Sequence, residues 1–423
     1  MIDRRDFLKI AGCVVPYWGL IPVSNAQSIY SGKILVDIHA SGGIDNSSWF
    51  DPREKDPLMN DYARAGTPAV VAGNLRAAPM GLNGPFLQAN FRRMLVINGL
   101  NSETNSHEDG TRAHATGTLA MAYATMPELY AYAKGAALPL PWLNSGAYDM
   151  SAGLIPATPM PNGANFRQLI SPNSQSATND YNKDQDVAKI LATRADRVRA
   201  QKAGGTLPPR AELVNAQFNG ASDSRALLAR VNQFLPATFD NAAHVGLVAA
   251  QAGLTTTISL ASGGFDAHGQ ITNTYGAAGN ANGSLGRLTT LMQYVWDKAA
   301  ALGIDSRIFM RVYSEFSRSP LINTGNGKDH YNVGAQVFME ANPTWGNRVF
   351  GASGPRHEQL KINPATGQVD MVNGKIMAPR HVHDAVRQYL GFQTTDPRFQ
   401  MKVPADEKFD FFNPANNTGY PNM

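Results

Sequence analysis

The stretch "TTTISLASGGFDAHGQ" occupies Thr255 to Gln270. Its opening run, Thr255–Ala261, is apolar or β-branched nearly throughout. A strand with one face in water would alternate, whereas an unbroken run belongs in the middle of a sheet covered on both faces. The pair Gly263–Gly264 then permits a sharp turn. Asp266 and His268 follow two residues apart, which puts them on one side of an extended segment. An Asp-x-His step at a strand exit suits a metal site, and it equally suits an ordinary polar loop. The rest of the chain has to decide.

Three more runs read as strands: "KILVDIHA" (33–40), "RMLVING" (93–99) and "RIFMRVYSEF" (307–316). Helical patterns lie among them, at 110–124, 186–203, 212–235, 284–303 and 381–391, the last closed by Gly391. Strands alternating with helices argue an α/β fold with a mostly parallel sheet. The helical block between about 171 and 253 reads as an insertion lying on that sheet, and the tail beyond Gln393 as a wrap over the surface. The whole of 27–423 is expected to form one α/β domain.

The N-terminus reads as an export signal, "MIDRRDFLKIAGCVVPYWGLIPVSNAQS". Arg4 and Arg5 form a twin-arginine pair, Ile10–Val23 is apolar, and Ser24-Asn25-Ala26 is a small-x-small step for cleavage after Ala26. The apolar run, about 14 residues with two prolines, is short for a membrane span. Residues 1–26 are therefore set aside, with the Tat translocase as export partner and the periplasm or exterior as destination. The single cysteine, Cys13, falls inside that signal. The mature chain then has no disulfide, no thiolate nucleophile and no cysteine ligand. A net charge of +4 over 423 residues, with Lys and Arg scattered, argues against nucleic acid as a partner.

Four polar clusters follow the predicted strands, and in open α/β sheets ligands gather beyond the strands' carboxyl ends. The first is "SGGID", with Ser41 and Asp45. The second is "NSHEDGTRAHATG", with His107 at a helix start, where free N–H groups favour an anion. Its bland reading is N-capping by Ser106 or Asp109, and His114 reads as packing. The third carries Asp266 and His268. The fourth, "SEFSRSPLINTGNGKDHYN", carries Glu315, Arg318, Asp329 and His330. Carboxylate plus imidazole suits zinc, manganese or iron better than calcium or magnesium. The expected metal ligands are Asp266, His268, Glu315, Asp329 and His330. Ser41, Asp45 and Arg318 are the candidate substrate-binding residues.

Taken together, "ASGGID", "NSHEDGTRAHATG", "GGFDAH", "SEFSRSPLINTGNGKDHYN" and "HVHDAVRQYLG" resemble the exported bacterial domain-of-unknown-function 1501 family. That family is distantly similar to the alkaline phosphatase and sulfatase superfamily. The resemblance spans most of the mature chain. It implies a three-layer α/β/α fold and one or two divalent metal ions, zinc or manganese. It puts Asp266 and His268 in the superfamily's ligand segment, Glu315 in the place of a strand-end Asp, and Asp329–His330 in a later ligand segment. His107 falls in the nucleophile position, which makes it the candidate catalytic residue, and His383 matches a late His that more simply packs a helix. The chain departs from the superfamily in its short Asp-x-His spacing, in Phe316 after Glu315, and in an imidazole where a hydroxyl or thiol is usual. The resemblance therefore implies a metal-dependent hydrolase of a phosphate or sulfate ester, with a small molecule or polysaccharide as substrate. The alternative is a non-catalytic envelope or polysaccharide-associated protein that retains the fold.

Overall fold

The computed structural model describes residues 29–160, 184–205, 231 and 234–415. The expected signal peptide, 1–26, lies outside them, as does most of the helix expected at 212–235.

The central sheet has eight strands: β1 (Ile34–Ala40), β4 (Met94–Asn101), β5 (Trp142–Ser145), β6 (Thr158–Pro159), β7 (Thr257–Ser262), β8 (Ile308–Tyr313), β11 (Val333–Glu340) and β12 (Arg348–Phe350). Two short ribbons stand apart, β2 (Val70–Ala72) with β3 (Leu75–Ala77), and β9 (Ser317–Arg318) with β10 (His330–Tyr331). The order is β12-β4-β11-β8-β1-β7-β5-β6. All neighbours pair in parallel except β11, which is antiparallel to both β4 and β8. The sheet is thus mostly parallel, as expected. The exits of β1, β4, β7 and β8 share one edge, and β11 starts at that same edge.

Alternation along the strands sorts two cores. Ile34, Val36, Ile38, Met310 and Val312 face one way, onto the helices Asn83–Asn90, Ala242–Gln251 and Ser284–Ala301. Leu35 and Phe309 face the other way, onto Met126–Gly135 and Pro379–Tyr389. Helices on both faces make the three layers. The second face also receives Phe392, Phe399, Phe409, Phe411 and Phe412, all buried. The tail beyond Gln393 runs over the surface as expected, with most of its described residues exposed, and is pinned to the second face by the buried Phe399, Phe409, Phe411 and Phe412.

Of the expected insertion at about 171–253, the described parts are the helix Asp184–Ala203 and the helix Ala242–Gln251, which packs on β7 through Gly246 against Ile258. The helix expected at 110–124 instead spans His107–Thr116. Gly117 stops it in the left-handed region at φ 85°.

Several imidazoles are enclosed far from solvent. His114 is hydrogen-bonded at both nitrogens, to Ser102 Oγ at 2.8 Å and Gln336 Nε2 at 2.7 Å. Burial pushes its pKa down to about 3, helped by the charge of Arg311. His357 is likewise lowered to about 4 by burial, against the opposing pull of Asp51. Such groups take up protons in the unfolded chain near pH 6.5 but in the folded chain only well below it. Their contribution is complete above pH 6.5 and is lost as pH falls toward the folded values. Between pH 7.5 and 5 each is expected to cost about 2 kcal/mol of stability. Denaturant unfolding at the two pH values checks this. His357→Asn, which tolerates the residue's φ of 57°, should reduce the difference, and an unchanged difference would discard the assignment.

Candidate functional site at the carboxyl edge of the sheet

His107 opens the helix after β4, where Ser106 caps it by accepting from the Asp109 amide at 3.4 Å. Asp266 and His268 follow β7, and Glu315 follows β8. His330 lies in β10, just before β11, which starts at the same edge. The four segments come from separate parts of the chain and meet here.

Asp266 Oδ1 is the focus. His268 Nε2 lies 3.1 Å from it, and His107 Nε2 and His330 Nε2 each lie 3.7 Å away. His268 Nε2 and His330 Nε2 are 3.1 Å apart. The other nitrogen of each ring faces an oxygen. His107 Nδ1 meets Glu315 Oε1 at 2.8 Å, His268 Nδ1 meets Asp329 Oδ1 at 3.1 Å, and His330 Nδ1 donates to the Asn105 carbonyl at 2.8 Å. Oxygens of this kind hold the proton on Nδ1 and turn the Nε2 lone pair inward, where that of His268 also meets an Arg318 N–H at 3.4 Å.

This donor set fits a divalent ion. Zinc–nitrogen and zinc–oxygen bonds of about 2.0–2.1 Å in a tetrahedron place neighbouring ligand atoms about 3.3 Å apart. Four of the six separations among these atoms, at 3.1 or 3.7 Å, lie on either side of that value. His107, Asp266 and His330 offer donor atoms all within 4.8 Å of one another.

Two residues expected as ligands stand one step behind. Glu315 is buried, and both its oxygens are taken: Oε1 by His107 and the Gly42 amide at 2.7 Å, Oε2 by His39 Nε2 at 3.1 Å. Burial alone would raise its pKa, but His39 and then His107 outweigh it and hold the carboxyl well below the usual range. Asp329 is mostly exposed and touches the site through His268.

The substrate-binding expectations fare differently. Asp45 is fully buried, and its carboxylate accepts from Ser47, Ser48 and the equally buried Lys328, at 2.9 Å from Lys328 Nζ. It anchors the loop leading to Asp329 and does not face a ligand. Arg318 is in the site but wholly enclosed. Its donors go to the carbonyls of Gly42, Gly43 and Lys328, to Asp266 Oδ1 at 2.6 Å and toward His268 Nε2 at 3.4 Å. The guanidinium has five N–H groups, and these five partners occupy them. Burial would raise the pKa of Asp266, but the bond and charge of Arg318 lower it. Ser41 stays half-exposed at the strand exit, with its backbone paired to Ser262 and Phe265. His383 packs as expected, its Nε2 on the His114 carbonyl at 2.9 Å.

His39 was not singled out from the sequence. An Asp-x-His pair, Asp37 and His39, inside a strand apolar at its other positions was the available signal. Strand alternation puts it with Asp37 on the face that receives Arg311 and Tyr313.

The fold and site together define a three-layer α/β/α protein with a His/Asp cluster at the carboxyl edge of its sheet. No protein-family model and no curated protein matches the chain. Among solved structures, a Bacteroides thetaiotaomicron chain from work on the metabolism of multiple glycosaminoglycans (BT33494S-sulf) aligns over 93% of this chain and 78% of its own, at 8% identity and a TM-score of 0.32. The lipoteichoic acid synthase LtaP from Listeria monocytogenes aligns over 92% and 77%, at 9% identity and a TM-score of 0.31. The fold assignment rests on the sheet topology described above, since likeness at this level adds nothing to it.

Proposed function

We propose that the protein is an exported, metal-dependent hydrolase of a phosphate or sulfate ester. The observation that carries the reading is that His107, Asp266 and His330 offer donor atoms within 4.8 Å of one another, with His268 Nε2 3.1 Å from Asp266 Oδ1 beside them. His107, His268, His330 and Asp266 would hold the ion, with Glu315, Asp329 and the Asn105 carbonyl orienting the rings. A bound divalent ion supplies charge neutralisation of the ester oxygens and a more acidic water. His107 then serves as a ligand and not as a nucleophile: Nδ1 is held by Glu315 and Nε2 faces the focus, so neither nitrogen is left to attack a substrate. The helix beginning at His107 brings the positive end of its dipole to the same place, which favours an anionic ester.

One observation favours a second reading. The Arg318 guanidinium already places a positive charge on Asp266 Oδ1 and an N–H toward His268 Nε2, as it would in a metal-free, non-catalytic polar network. Elemental analysis of folded full-length protein, followed by aryl phosphate and aryl sulfate assays, separates the two. The hydrolase reading expects about one ion per chain, and hydrolysis that chelator removes and added metal restores. Protein without metal and inert on both esters would support the second reading.

Export rests on Arg4–Arg5 and the apolar run behind them; among the described residues, no helix is long and apolar enough to cross a membrane. Replacing both arginines with lysine should leave full-length precursor in the cytoplasm on fractionation. Undiminished export would remove the twin-arginine assignment.

A further inference from the structure

We propose that His39 is a positioning residue. By donating from Nε2 to Glu315 Oε2, it fixes the carboxylate that in turn holds the proton of His107 on Nδ1 and aims His107 Nε2 at Asp266.

The argument is one of donors and acceptors. An ionised carboxylate only accepts, so each ring nitrogen touching Glu315 carries a hydrogen. Oε1 has two donors, His107 Nδ1 and the Gly42 amide. Oε2 has two neighbours, His39 Nε2 at 3.1 Å and Ser314 Oγ at 3.0 Å. The Ser314 hydroxyl has a single hydrogen, and its shorter contact is the Ala40 carbonyl at 2.5 Å. That geometry leaves His39 as the donor to Oε2. Without it, a carboxylate oxygen at a side-chain exposure of 3% would be left with Ser314 alone, whose one hydrogen also faces the Ala40 carbonyl. The carboxylate would turn toward Ser314 and loosen its hold on His107.

His39 is built to be immobile. Register pairs it with Tyr313 across β1 and β8, and the two rings stack at 5.0 Å with 13° between their planes. The Arg311 guanidinium lies over the same tyrosine at 4.1 Å, and Asp37 faces Arg311 across the same two strands at 3.5 Å. A histidine that merely filled the core would satisfy its own polar atoms. This one supplies a donor to a carboxylate shared with a site residue.

The test has two arms, and only the second rests on the metal-centre reading. In the first, long-range proton–nitrogen NMR on metal-free full-length protein reads the His107 tautomer, with His107→Asn assigning the signal. Wild type should be almost wholly the Nδ1–H form. His39→Ala should move at least about a third of the population to Nε2–H, and His39→Gln, whose amide can still donate, should restore the wild-type form. If His39→Ala does not fold, His39→Asn, too short to reach Oε2, takes its place. In the second arm, competition with a chelator measures zinc affinity. Loss of an outer-shell partner should weaken it about 10–100-fold in the same variant, with His39→Gln close to wild type. An unmoved tautomer in the folded variant overturns the proposal. A moved tautomer in a protein that binds no zinc sustains the proposal and removes the metal reading.

Discussion

Asp266→Asn is expected to cut divalent-metal affinity on the order of 100-fold and to lower ester hydrolysis with it. Asp266 is the one anion of the four donors, and its Oδ1 is the atom on which the three imidazoles converge. Structural zinc sites bind with about 10–16 kcal/mol, so one ligand of four accounts for about 3 kcal/mol of that. Asparagine keeps the shape, and its carbonyl still accepts from Arg318, so the enclosed guanidinium keeps a partner. Alanine would leave that cation short of its counter-charge and confuse a binding loss with a folding loss. The metal-to-protein ratio after dialysis against a weak chelator is the measurement, with thermal unfolding of the metal-free form as the control for folding. A variant that retained wild-type metal content would show that Asp266 is scaffold for Arg318 and not a ligand.

Gly327→Ala is the second large effect, and it acts through backbone. The loop Asn323–Lys328 is zipped along the segment 267–271. Asn323 accepts from the amides of Gly325 and Gly327 at 2.9 and 3.0 Å and donates to the His268 carbonyl at 3.0 Å. Gln270 and Ile271 donate to Gly325 and Asn326, and Lys328 donates to Ala267. A Cβ on Gly327 would overlap the carbonyl of His268 and the amide nitrogen of Gly269. No flexible side-chain tip can yield there, so the two backbones must separate, at a cost of about 3 kcal/mol. His268 moves with its carbonyl, so metal affinity should fall together with stability. Gly325→Ala is the internal control, since the atoms nearest its Cβ begin at 3.4 Å. If Gly327→Ala unfolds at the same denaturant concentration as Gly325→Ala, the loop does not set the position of His268.

Both predictions depend on parts of the site that differ in how readable they were. The unbroken apolar runs at 33–40, 93–99, 255–261 and 307–316 marked β1, β4, β7 and β8, because a strand covered on both faces needs no polar alternation. Polar residues after each run marked the edge where a site would gather, and His107, Asp266, His268, Glu315, Asp329 and His330 do meet there. β11 was missed. Its sequence, "VGAQVFME", mixes Gly334 and a buried Gln336 into the run, and Gln336 is tolerated only because His114 from a distant helix accepts its hydrogen bond.

Local sequence by itself marked four of the sheet's interior strands, β1, β4, β7 and β8, and the loops that leave them at the carboxyl edge, and it showed that acids and imidazoles collect there. Backbone periodicity and turn-forming glycines act over a few residues, so a single chain displays them. Tertiary structure alone decided the division of labour at that edge. Whether a carboxylate faces an imidazole's Nδ1 or its Nε2 separates Glu315, which orients, from Asp266, which gathers. Burial against Ser47, Ser48 and Lys328 turns Asp45 from a candidate contact into an anchor. The β1–β8 register brings His39 beside Tyr313 and within reach of a carboxylate 276 residues further along the chain. Those outcomes depend on distances of a few tenths of an ångström between segments far apart in sequence, and no spacing along the chain encodes them.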